Sequence, residues 1–205
     1  MGIEQFEKEL NLIQSSAIRR FTKEALDNVD EKFWTAPSSS SGNYHPPEDN
    51  VKGGLVNHVK KAVVVGQDYA RRALFSQKEL DMLISSILLH DTCKNGIEWG
   101  ERTSYIHGFL AYNWLDQFKL NNRTEKEMIK NAVRYHMFPW CYVVSPQEKD
   151  SYSKEDIQDN LREFQRASYP SRIEKAVQEA DYFSSRENIS FLPDKPIIHQ
   201  RHDSP

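Results

Sequence analysis

The run Leu83-Ile84-Ser85-Ser86-Ile87-Leu88-Leu89 is apolar on nearly every side of a helix and ends directly in His90-Asp91. A helix of that kind has to lie inside its domain, wrapped by other elements. Its end then carries an imidazole and a carboxylate into the interior, where leaving them without partners would cost several kcal/mol. A metal ion or a tight hydrogen-bond network is therefore required at that point. Upstream, Ser76 and Glu79 stand three residues apart as a capping box, which predicts the start of this helix at Ser76.

The rest of the chain supplies the wrapping. Ile3, Phe6, Leu10, Ile13, Ile18, Phe21 and Leu26 recur at helical spacing and predict one or two amphipathic helices over 3–34. Residues 36–50 carry turn formers and no period, which predicts an ordered loop or a mobile flap. A helix is expected from Gly54 to Leu74, with His58 in its first turns. A loop from Asn95 to Thr103 precedes a helix over 104–118 that carries His107. Thr124 and Glu127 read as a second capping box before a helix over 125–136 that ends in Tyr135-His136 and is stopped by Pro139. An aromatic-rich loop over 137–153 follows, then helices near 154–165 and 171–186, the latter carrying Asp181. Periodicity is lost after Asn188.

No segment alternates strongly enough to predict a strand. The expectation is all-α: a single-domain bundle of about six to eight helices with a long loop after the fourth histidine, His136. The predicted division is an N-terminal helical segment over 1–33 packing on the core, a main domain over 34–188 and a tail over 189–205.

Composition narrows the partners. With 38% apolar and 28% charged residues the chain has the profile of one globular domain. A net charge of −3 and a pI near 6.2 argue against holding long nucleic acid by bulk electrostatics, whereas a small anion gripped by metal ions needs no basic surface. No apolar run reaches membrane-spanning length and the first residues are too charged for a secretory leader, so a cytoplasmic protein with no membrane partner is expected. Cys93 and Cys141 are then read as reduced thiols. Assembly into a homo-oligomer is left open.

Six residues of metal-ligand type stand on separate predicted helices: His58, the pair His90-Asp91, His107, His136 and Asp181. Imidazole and carboxylate suit divalent manganese, iron, cobalt, nickel or zinc. Four imidazoles and two carboxylates are too many for one tetrahedral site and about right for two octahedral ions sharing a carboxylate. Such a pair can clamp phosphoryl oxygens, lower the pKa of a bridging water and neutralise a leaving oxygen. Lys94, three residues after Asp91, could pair with a phosphate oxygen. Taken singly, a histidine in an amphipathic helix is more often a packed or surface residue than a ligand. Only His90-Asp91 demands explanation alone.

In their order, His, then His-Asp, then His, His and a late Asp, these residues resemble the HD superfamily of metal-dependent phosphohydrolases in its two-metal form. Flanking segments extend the likeness. Tyr44-His45-Pro46 ahead of Gly53-Gly54-Leu55-Val56-Asn57-His58 resembles a "YH…GGLLEH" segment, Leu88-Leu89-His90-Asp91-Thr92-Cys93-Lys94 resembles "LLHDIGK", and Ala180-Asp181-Tyr182 resembles an "ADxxxS" ending. The resemblance covers residues 34 to 188. It implies that His58, His90, Asp91 and Asp181 hold one ion, that Asp91 bridges to a second held by His107 and His136, and that Lys94 contacts a substrate phosphate. His45 is a further substrate-site candidate.

The chain departs from the pattern at Cys93, which replaces a glycine, after His136, where a second adjacent histidine is lacking, and in the serine-rich insertion 38–43. Lower-ranking candidates are Arg102, Arg134 and Arg186 for substrate, and Trp140 and Tyr142 for stacking on a base. Helical spacing turns Arg134 away from His136, and His199 and His202 are incidental to the set. The reaction implied is hydrolysis of a nucleotide-like phosphate ester or anhydride by a metal-bound hydroxide, with catalytic roles for Asp91 and Lys94. Exonuclease-like 3′ to 5′ action on short single strands, and oxygenase chemistry at a di-iron centre, are the alternatives.

Overall fold

In a computed structural model of the chain, residues 2–40, 45–104, 106–138, 162, 166 and 170–186 are described. Among them lie α1 (Glu7–Leu12), α2 (Ser16–Asp27), α3 (Gly54–Arg72), α4 (Gln77–Leu89), α5 (His107–Trp114), α6 (Arg123–Tyr135) and α7 (Arg172–Ser184), with short 3-10 turns between them and no strand. The expected all-α bundle is what these residues form. No helix among them is long and apolar enough to cross a membrane.

Helix α4 is the axis of the bundle. Every residue from Asp81 to Leu89 is buried, and α1, α2, α3, α6 and α7 all pack against it. Its start is the expected capping box: Ser76 Oγ accepts from the Glu79 amide, and Glu79 Oε2 accepts from the Ser76 amide. Helix α7 lies along α3, and α5 packs on α6.

The N-terminal segment shares the same core. Phe6, Phe33 and Trp34 form an edge-to-face aromatic group that reaches Trp99. Between α1 and α2 the chain breaks over Ile13 to Ser15, and Asp81 causes the fit there: its carboxylate accepts from the amides of Gln14 at 2.9 Å and Ser15 at 2.8 Å. Bonds to a charged acceptor contribute about 1.5–3 kcal/mol each. Asp81→Ala is therefore expected to lower the unfolding free energy by at least about 2 kcal/mol, read from urea denaturation. A change within error would mean that α1 and α2 are held by apolar packing alone.

Two close approaches place the helices that matter below. Gly53 has φ 80 and Gly54 opens α3, where a Cβ would fall 1.7 Å from the Asp49 carbonyl oxygen. A Cβ at Gly108 would fall 2.6 Å from the Arg134 carbonyl, so glycine lets the start of α5 reach the end of α6.

Several expected boundaries move. Helix α6 begins at Arg123, capped by Asn122, whose Oδ1 accepts from the Glu125 amide. Asparagine caps at least as well as threonine, which frees Glu127 to accept from Tyr112 Oη instead. Helix α5 starts at His107 rather than 104, because Ser104 is turned to serve the His107 ring and its amide bonds the Lys94 carbonyl. The described parts of the 36–50 loop are tied down: Ser38 donates twice to the Asp49 carbonyl, and Lys61 of α3 pairs with Asp49 at 2.8 Å. Tyr44, Pro139, Trp140, Cys141, Tyr142, most of the helix expected near 154–165 and the tail from 187 lie outside the described residues.

Candidate metal centre

The six expected ligands come from five places in the fold. His58 sits in the first turns of α3, His90 caps the C-terminus of α4 with Asp91 next to it, His107 opens α5, His136 caps the C-terminus of α6, and Asp181 lies in the last turns of α7. The packing of these helices on one another brings all six side chains together. The four imidazoles and Asp91 are almost fully enclosed.

Each imidazole is oriented by its Nδ1. Three of the rings donate to the carbonyl three residues earlier: His90 to Ile87 at 2.6 Å, His107 to Ser104 at 2.6 Å and His136 to Val133 at 2.7 Å. For His90 and His136 those acceptors are last-turn carbonyls that an ending helix leaves without amide partners. His58 Nδ1 meets Ser184 Oγ at 3.2 Å, and the Ser184 hydroxyl donates onward to the Asp181 carbonyl, so Oγ is the acceptor from His58. A carbonyl can only accept, so the ring proton of each histidine belongs on Nδ1. The four Nε2 atoms are left pointing at one another and at two carboxylates.

Their spacing sorts around the two oxygens of Asp91. Oδ2 lies 3.4 Å from His90 Nε2 and 3.7 Å from His58 Nε2, and Asp181 Oδ1 completes that side at 3.0 Å from His58 and 3.7 Å from His90. Oδ1 lies 3.0 Å from His107 Nε2 and 3.7 Å from His136 Nε2, and these two nitrogens are 2.9 Å apart. Ligand atoms around an ion at about 2.1 Å stand roughly 3–4 Å from their neighbours, so the observed separations fit. Ranked by distance alone, His58, His90 and Asp181 form one triad able to hold a metal ion, and His90, Asp91 and His136 another. His90 thus reaches both sides, and the Asp91 oxygens are the better divider because each faces a different pair of helices.

Charge at the centre points the same way. Burial would raise the Asp91 carboxyl, but Lys94, His90 and His107 outweigh it and hold it well below the usual range. Asp181 is likewise held low against burial by His58 and His90. Burial opposes protonation of His90, yet the two carboxylates overcome it and push His90 up to about 10. Burial takes His58 down, and with the charges of His107 and His90 it takes His136 down to about 3. A divalent ion competes with a proton for the His90 nitrogen.

Lys94 is buried beside this cluster, with Nζ 2.5 Å from Asp91 Oδ2. His45 is also drawn in: its ring stands perpendicular to that of His58 at a centroid distance of 4.6 Å. Arg134 is turned away, as helical spacing predicts, and stacks over Phe109 and Tyr112. Arg186 lies over Tyr182, and Arg102 is exposed. His199 and His202 lie outside the described residues.

Sequence reasoning missed Ser184, which orients His58. Ligating histidines without such a partner lose about 10–100-fold in metal affinity. Ser184→Ala is expected to weaken binding of the first equivalent of manganese by a factor in that range, measured by titration calorimetry; unchanged affinity would remove Ser184 from the centre.

No protein-family profile, curated protein or solved structure matches this chain.

Proposed function

We propose that this chain is a metal-dependent phosphohydrolase of the HD type, acting on a small nucleotide or nucleotide-like phosphate ester or anhydride. One observation carries the reading: four buried histidines, each with a proton committed at Nδ1, direct their Nε2 atoms at the carboxylates of buried Asp91 and partly exposed Asp181. Imidazoles and carboxylates gathered in this way call for cations. In this reading His58, His90, Asp181 and Asp91 Oδ2 hold one divalent ion, and His107, His136 and Asp91 Oδ1 hold another. Two ions there would supply Lewis acidity toward a phosphoryl group and lower the pKa of a water.

The chain's own charges favour an anionic substrate. Two divalent ions and Lys94 exceed the charge of Asp91 and Asp181, so the loaded site carries net positive charge in a dry surrounding. A phosphoryl group balances it. Lys94, paired with Asp91 at 2.5 Å, would meet a phosphoryl oxygen. Asp91 keeps the two halves of the site in register.

The test is a screen of nucleotides and p-nitrophenyl phosphate esters with manganese, cobalt, nickel and iron, together with elemental analysis of the purified protein. Phosphate release dependent on a bound transition metal is expected. Absence of release under all four metals would sink the proposal, and iron-dependent oxygen consumption without release would replace it with oxygenase chemistry.

A further inference from the structure

One polar group at the edge of the centre has no partner among the described residues. His45 Nδ1 is enclosed and makes no hydrogen bond. The residue is nevertheless held firmly in place. Asn50 Nδ2 donates to the His45 carbonyl at 3.0 Å, and the adjoining Asp49 is clamped by Lys61 of α3. The fold thus fixes the backbone so that the ring stands edge to face against His58, and then leaves Nδ1 without a partner among the described residues.

Where it stands matters. His58, His90, Asp91, His107 and His136 are at most 2% exposed, whereas Lys94 is 7% exposed, His45 9% and the Asp181 side chain 17%. These last three, the least enclosed of the set, mark its rim. Nδ1 is therefore a hydrogen-bonding position of the ring that the described residues leave to a bound group.

We infer that His45 is a recognition residue for the phosphoryl group, donating from its imidazole to a phosphoryl oxygen at the rim while Lys94 supplies the neighbouring charge. The inference rests on the metal-centre reading above and adds to it a contact from outside the ligand set. Replacing the imidazole takes no hydrogen bond from Nδ1 among the described residues.

Inorganic phosphate is the probe, titrated calorimetrically into the manganese-loaded full chain. His45→Phe keeps the ring shape and its packing on His58; His45→Ala removes the ring without asking the pocket to hold a new one. Both are expected to retain wild-type manganese content, measured by elemental analysis, while phosphate affinity drops about ten-fold, the loss of one hydrogen bond to a charged acceptor. If His45→Phe fails to fold, His45→Ala carries the comparison. Unchanged phosphate affinity overturns the inference, and so does a parallel loss of manganese, which would make His45 a prop for His58. A wild-type protein that retains no manganese would instead remove the metal-centre reading itself, and this inference with it.

Discussion

Asp91→Ala is expected to reduce bound metal to less than about a tenth of the wild-type content and turnover by at least about 1000-fold, since loss of a mere outer partner of a ligand already costs about 10–100-fold. The substitution removes both oxygens at once, Oδ2 facing His58 and His90, and Oδ1 facing His107 and His136. It also strands a buried cation. Lys94 sits 2.5 Å from Asp91 Oδ2, and removing one partner of a buried pair costs about 3–5 kcal/mol. The variant should therefore be less stable by that amount even in chelator, measured by urea denaturation. Adding Lys94→Met to Asp91→Ala is expected to restore most of the stability and none of the metal. An Asp91→Ala protein with wild-type metal content would dispose of the centre.

Metal removal and return has the second-largest expected effect. A ligand present at a thousand times its Kd stabilises the folded state by about 4 kcal/mol. For a chain of this size each kcal/mol moves the melting temperature by about 2–4 °C, so chelated protein should melt about 8–16 °C below protein saturated with its preferred ion. The sign follows from the site: without ions, Nε2 atoms of His107 and His136 face each other at 2.9 Å and those of His58 and His90 at 3.3 Å, beside two carboxylates. Melting temperatures that agree within about 1 °C across manganese, iron, cobalt, nickel, zinc and chelator would contradict the assignment.

The sequence announces the bundle and its axis because both rest on local pattern. Leu83 to Leu89 are apolar on all sides and become the enclosed centre of α4, and Ser76 with Glu79 caps that helix where expected. The start of α6 was harder to read, since Asn122-x-x-Glu125 and Thr124-x-x-Glu127 are overlapping capping boxes and only packing decides between them: Glu127 is drawn to Tyr112 of α5. At the site, His90-Asp91 is legible from burial cost alone. His58, His107, His136 and Asp181 gain meaning only from their order along the chain, because nothing local distinguishes them from ordinary helical residues. Ser184 is silent in sequence, since its role depends on how α7 is rotated against α3. The isolation of His45 is silent too, because the lack of a partner is a property of the assembled fold.

The way the rings are anchored bears on how freely such a chain can change. His90, His107 and His136 are each aimed by the main-chain oxygen three positions back. Every amino acid carries that oxygen. Residues 87, 104 and 133 can therefore be exchanged for others of suitable size without disturbing ring orientation. Only His58 draws its orientation from a side chain, that of Ser184. Much of the scaffolding around this centre is thus written in the backbone, and drift can erase the sequence around it while the aim of its imidazoles survives.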